Sequence, residues 1–131
     1  MADMFDPQQR SEIMAKIRAR NTSPEMTVRK AVHRAGFRFR LHRKDLPGTP
    51  DLVFPRHRLA VFVHGCFWHK HNCGLFRWPK SNVEYWRRKI ERNVERDRQA
   101  MSKLEESGWT VYVIWECRVQ EGIEDLLRML T

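Results

Sequence analysis

The spacing of apolar residues predicts alternating helices and strands. Asp6-Pro7 offers a cap followed by proline at the first helical position, so a helix is expected to about Arg20. Ile13, Met14 and Ile17 give it a narrow apolar stripe, flanked by Arg10, Lys16, Arg18 and Arg20. Ser23-Pro24 repeats that start; Val28, Val32 and Ala35 form the second stripe, and Gly36 supplies the stop. Phe37, Phe39 and Leu41 alternate with Arg38, Arg40 and His42, the period of a half-buried strand. Leu52 to Phe54 and Leu59 to Val63 are short apolar runs joined by Pro55-Arg56-His57-Arg58, which predicts a hairpin.

After an irregular stretch from His64 to Lys80, Ser81-Asn82-Val83-Glu84 has the form of a capping box. It opens the longest helix, to about Glu106, with Val83, Trp86, Ile90, Val94, Asp97, Met101 and Leu104 on one stripe and Gly108 beyond its end. Thr110 to Trp115 reads as a central buried strand, and Ile123 to Leu130 as a closing helix. The predicted order is α-α-β-β-β-α-β-α. A strand, a long crossover helix and another strand imply a parallel connection, so the fold class is α/β with a mixed central sheet flanked by helices, in two or three layers.

With 131 residues the chain suits one domain, and 41% apolar with 31% charged residues is the balance of a globular protein. No apolar run approaches the roughly 20 residues that cross a bilayer. The N-terminus carries Asp3, Asp6 and Glu12 and no apolar stretch of the secretory kind, so a cytoplasmic protein is expected.

Charge changes the picture more. Residues 1–50 and 51–100 each hold 11 Lys and Arg against 5 Asp and Glu, whereas 101–131 holds 3 against 6. A basic working surface with an acidic rear suits a polyanion, because cations that neutralise phosphates release condensed counterions. The five tryptophans favour nucleic acid over a merely solvated basic surface, since aromatic–basic mixtures suit base stacking.

Cys66, His69, His71 and Cys73 lie within eight residues, and Cys117 follows the last predicted strand. Three cysteines cannot all pair within one chain, and cysteines near histidines in a cytosolic protein point to metal rather than disulfide. Cys66, Cys73, Cys117 and one histidine make a Cys3His zinc set, closed and therefore structural. The spacing leaves open whether His69 or His71 is the fourth ligand; His71 lies nearer Cys73 and would free His69 for chemistry. The alternative is three small buried apolar side chains. Phe67, Trp68, Leu75, Phe76 and Trp78 make this loop unusually apolar, and unstacked bases are a plausible receiver.

Pro50-Asp51 places an acid at the mouth of one apolar strand, near the end of its neighbour at His64-Gly65. Magnesium takes oxygen ligands and also binds substrate phosphate, so Asp51 is the candidate metal ligand. Glu25, His64 and His69 could supply an outer acceptor, a phosphate or leaving-group contact and a general base. Each also has a plain reading: Asp51 as a turn residue, Glu25 as a complement to the helix dipole.

Pro47-Gly48-Thr49-Pro50-Asp51, Val63 to His69, Asn93 to Asp97 and Trp115-Glu116-Cys117 resemble the very-short-patch repair (Vsr) endonucleases. The resemblance runs from the Asp6 helix to about Cys117. It implies a restriction-endonuclease-like core and a strand-nicking enzyme acting beside the thymine of a T·G mismatch that arises when 5-methylcytosine deaminates. It further implies that Asp51 and the carbonyl of Val63 hold magnesium, that His69 is the base, and that Glu25 and His64 complete the site. Zinc would be held by Cys66, His71, Cys73 and Cys117. Phe67, Trp68 and Trp86 would wedge into the base stack, with Met14 or Ile17 entering from the other groove. Trp86, Met14 and Ile17 have core readings as well, since each lies on an apolar helical stripe.

The expectation is thus one endonuclease domain over 1–131, with 1–22 a DNA-contacting helix and 23–131 the catalytic core. It would be a cytoplasmic bacterial enzyme working as a monomer on nucleoid DNA, with mismatch-repair proteins as further partners and no membrane. The rival readings are a nicking or restriction-like nuclease without mismatch preference, and a zinc-stabilised DNA-binding module without catalysis.

Overall fold

A computed structural model describes residues 22–66, 69, 71 and 78–131. The helix expected before residue 21 lies outside them. The first described helix, α1 (Ser23–Arg34), is followed by β1 (Arg40–Leu41), β2 (Leu52–Phe54) and β3 (Leu59–His64). Then come α2 (Val83–Glu106), β4 (Thr110–Trp115) and α3 (Val119–Leu130). The strands form one sheet in the order β1-β2-β3-β4. β1 with β2 and β2 with β3 are antiparallel, and β3 with β4 is parallel, as a crossover through α2 requires.

Side-chain alternation along β3 and β4 separates two apolar layers. Leu59, Val61 and Ile114 face α1 and α3, where they meet Val28, Val32, Ile123, Leu126 and Leu130. Ala60, Phe62, Val111 and Val113 face the other way, onto Met101 and Leu104 of α2. Helices therefore cover both faces of the sheet.

Several boundaries differ from the sequence pattern. α1 is capped by Thr22, whose Oγ1 accepts the N–H of Glu25, and not by Ser23. Pro24 then sits in the first turn, where its missing N–H costs nothing. α2 starts at Val83 behind Asn82, which is left-handed and makes no side-chain cap, so the capping box does not form. The strand expected over 37–42 reduces to Arg40–Leu41, because His42 turns left-handed (φ 46°) and ends the ladder. Phe37 and Phe39 still pack on the core, whereas Leu41 is 40% exposed. β4 is not central: it ends the described sheet and is mostly half-buried. Its apolar run reflects cover by helices on both faces rather than strands on both edges. α3 begins at Val119, earlier than its apolar stripe suggested. Among the described residues no helix is long and apolar enough to cross a membrane.

Candidate active site and metal centre

The C-terminal end of β3, the mouth of β2 and the inner side of α2 bring three side-chain clusters together. The first joins Glu25, His42 and Asp51, whose ligand atoms lie within 4.8 Å of one another. Glu25 is 2% exposed in the first turn of α1, and His42 Nε2 lies 2.7 Å from its Oε2. Arg29 Nε approaches the same oxygen at 3.6 Å. His42 Nε2 is also 4.0 Å from Asp51 Oδ1, and its backbone N–H donates to the Asp51 carbonyl. Asp51 Oδ2 accepts the N–H of Val63 at 2.7 Å. Burial pushes the Asp51 carboxyl up to about 7; the Val63 N–H opposes that rise and the neighbouring Glu25 adds to it.

The second cluster is His64, His69 and Asp97. The two imidazoles stack, with centroids 3.7 Å apart and planes 5° from parallel. His64, at the end of β3, is 5% exposed, and its Nδ1 is buried without a hydrogen-bond partner among the described residues. Burial, reinforced by the nearby His69, drives its pKa down to about 2, so it stays a neutral ring at physiological pH. His69 Nδ1 makes a short contact with Asp97 Oδ2 of α2, leaving Nε2 to face other chemistry.

The third cluster is Cys66, His71 and Cys117. His71 Nδ1 lies 3.6 Å from Cys66 Sγ and 3.5 Å from Cys117 Sγ. The Cys66 N–H donates to Glu116 Oε1 at 2.8 Å, which ties the loop to the turn after β4. Trp115 lies flat on His71 (3.9 Å, 5°) and edge-on to His64 (5.2 Å, 71°), so one indole spans the second and third clusters. Two thiols and an imidazole converging in this way fit a soft tetrahedral metal such as zinc. The oxygen-bearing first cluster fits a hard divalent cation.

Of the residues singled out from sequence, Glu25, Asp51, Val63, His64 and His69 gather at one end of β3. His71 joins Cys66 and Cys117, while His69 turns to Asp97. Cys73, Phe67, Trp68, Met14 and Ile17 lie outside the described residues. Trp86 is 7% exposed and clusters with Ile90, Trp78 and Val94, with Tyr85 edge-on to it at 5.2 Å. His42, Asp97 and Trp115 were given no site role from the sequence, although Asp97 and Trp115 stand in motifs that carry the resemblance. A carboxylate on the buried stripe of a long helix was the available sign for Asp97.

A family model described as DNA mismatch endonuclease Vsr matches residues 2–75. The chain belongs to the Vsr family of DNA mismatch endonucleases. It is 50% identical over 121 residues to Type II nicking enzyme V.XorIIP of Xanthomonas oryzae pv. oryzae, covering 92% of this chain and 89% of that one. It is 43% identical over 120 residues to DNA mismatch endonuclease Vsr of Escherichia coli (92% and 77% covered). Type II nicking enzyme V.NmeAIP of Neisseria meningitidis is 42% identical over 120 residues (92% and 86%). As a member of the Vsr family the chain is a DNA endonuclease, which gives the three clusters a chemical context.

Proposed function

We propose that this Vsr-family enzyme nicks duplex DNA beside the thymine of a T·G mismatch left by deamination of 5-methylcytosine. The observation that carries the hydrolytic part of the reading is the pairing of His69 with Asp97 beside the Asp51 carboxylate. Asp51, with the carbonyl of Val63, would hold magnesium. When bound, that ion polarises a phosphate ester and neutralises charge that develops on it. His69 acts as general base: Asp97 fixes its Nδ1 edge, so Nε2 is the atom that takes the proton from a water attacking phosphorus. His64, kept neutral by burial, can contact the phosphate or the leaving oxygen without adding a competing positive charge. Glu25 and His42 brace Asp51 from behind.

Zinc held by Cys66, His71, Cys73 and Cys117 would fix the loop that carries Phe67 and Trp68. Those side chains, with Trp86, Met14 and Ile17, would wedge into the base stack beside the mismatch. Opening a stack costs a few kcal/mol, and a weak pair lowers that cost, which gives selectivity without a full base code. The mismatch reading draws on the relatives: one at 43% identity is named a DNA mismatch endonuclease. In this reading residues 1–22 are a DNA-contacting helix and 23–131 a restriction-endonuclease-like catalytic core. The enzyme works as a cytoplasmic monomer on nucleoid DNA, with mismatch-repair proteins as partners.

Oligonucleotide duplexes identical except for T·G or C·G at one position, incubated with magnesium, test it. Nicking confined to the T·G duplex is expected. Equal nicking of both would leave a nicking nuclease without mismatch preference, and no magnesium-dependent cleavage of either would leave a DNA-binding module.

A further inference from the structure

We propose that the outward face of α2 is a cradle for the phosphate backbone of DNA flanking the nick. An α-helix turns about 100° per residue. On α2 that places Arg88, Arg92 and Arg96 above one another, with Tyr85, Lys89 and Lys103 inside the same arc of about 100°. The cations of this row make no ion pair among the described residues; Lys89 Nζ lies over the Tyr85 ring at 5.9 Å instead. Tyr85 itself is 50% exposed.

Apart from Glu106 in the last turn, beyond Lys103, the acids of the helix lie off this face. Glu84, Glu91 and Glu95 occupy the adjoining side, where Arg87 pairs with Glu84 and Arg98 with Glu95. Charge on α2 is therefore sorted into a paired side and an unpaired cationic side. Like charges four residues apart repel along an isolated helix, so Arg88, Arg92 and Arg96 gain from a polyanion laid over them. An interleaved Glu–Arg pattern would be the ordinary solution for a face meeting only water.

Position favours DNA over another acidic partner. Asp97, one residue from Arg96, turns inward to hold His69, while Arg96 turns outward and is exposed. The row thus shares a helix with the residue that holds His69 and lies about 100° round from it at Arg96. From Tyr85 to Lys103 it runs about 27 Å at 1.5 Å per residue, comparable to about eight base-pair steps of 3.4 Å along the duplex axis. The Tyr85 ring, at the end of the row near Trp86, offers a sugar or base edge an apolar contact.

The inference rests on the reading that the chain works on duplex DNA, but not on its mismatch preference. The test uses full-length protein carrying Arg92→Gln and Arg96→Gln together, and measures Kd for T·G and fully paired duplexes over a series of KCl concentrations. Two lost phosphate contacts should lower the slope of log Kd against log [KCl] by about 2. Both duplexes should weaken alike, leaving their affinity ratio unchanged, and Arg92→Lys with Arg96→Lys should restore the slope, because a phosphate needs only the charge. An unmoved salt slope in the glutamine variant, with its melting temperature unchanged, would overturn the cradle. A fall in the affinity ratio at unchanged slope would overturn it too, by showing base readout instead. Wild-type protein that binds both duplexes equally would sink the mismatch reading alone, since the slope comparison still stands.

Discussion

Asp51 accepts the backbone N–H of Val63 at 2.7 Å, so the carboxylate at the mouth of β2 is pinned to the strand that ends in His64. That one bond fixes a candidate cation ligand relative to the stacked imidazoles of His64 and His69. It also leaves Oδ1 on the side of His42, 4.0 Å from Nε2, where Glu25 also comes within hydrogen-bonding reach of the carboxyl.

Metal affinity should depend on pH through Asp51. Its carboxyl is pushed up to about 7 by burial, so without metal it holds a proton at pH values where an ordinary carboxyl has lost it. A cation must displace that proton. Affinity should plateau above pH 7 and fall roughly tenfold for each unit below it. Calorimetric titration with magnesium between pH 5.5 and 8.5 checks this, and a flat profile across that range would count against metal at Asp51.

Asp97→Asn should slow nicking by about 100-fold, within the range a positioned general base contributes. The amide keeps the size of the side chain but no longer stabilises a protonated His69. Single-turnover rates and duplex Kd separate the effects: the rate should drop while Kd holds. A matching loss of DNA binding would mean Asp97 supports the fold of the site rather than its base.

Zinc removal should lower the melting temperature sharply, because ligand binding in a closed site is folding energy. Cys66 and Cys117 meet His71 across a long stretch of sequence, so losing the ion frees the loop from the turn after β4. Cys117→Ser should reproduce most of the shift. Calorimetry before and after chelation, with metal content measured, decides it; an unchanged melt after verified zinc loss contradicts the claim.

Gly48→Ala should destabilise the protein by about 1–3 kcal/mol, the usual cost of overpacking. Gly48 is left-handed (φ 76°), and a Cβ there would stand 2.7 Å from Cβ of Ala100. Urea unfolding measures the loss. Because Gly48 lies in the turn that delivers Asp51, nicking should weaken as well.

The hairpin, the long helix and the mixed sheet were all legible in apolar spacing, since period and length separate strand from helix. The cluster of cysteines and histidines was legible from residue type alone. His42 was not, because in an alternating run it occupied a polar position that pattern assigns to solvent. The left-handed turn at His42 sends its imidazole inward to Glu25 instead. Asp97 hid on an apolar stripe for a similar reason: periodicity marks which face is buried, not what the face meets. The edge position of β4 was also out of reach, as helices can bury a strand as well as neighbouring strands do.

The most direct test of the account is single-turnover nicking of a T·G duplex as magnesium is titrated, for wild type and for Asp51→Asn. Wild type should show saturable magnesium dependence. The variant should bind the duplex normally yet nick at least about 100-fold more slowly at every concentration, as loss of several kcal/mol of charge stabilisation at the phosphate requires. Nicking by Asp51→Asn at the wild-type rate, or wild-type nicking that persists in a chelator, would contradict it.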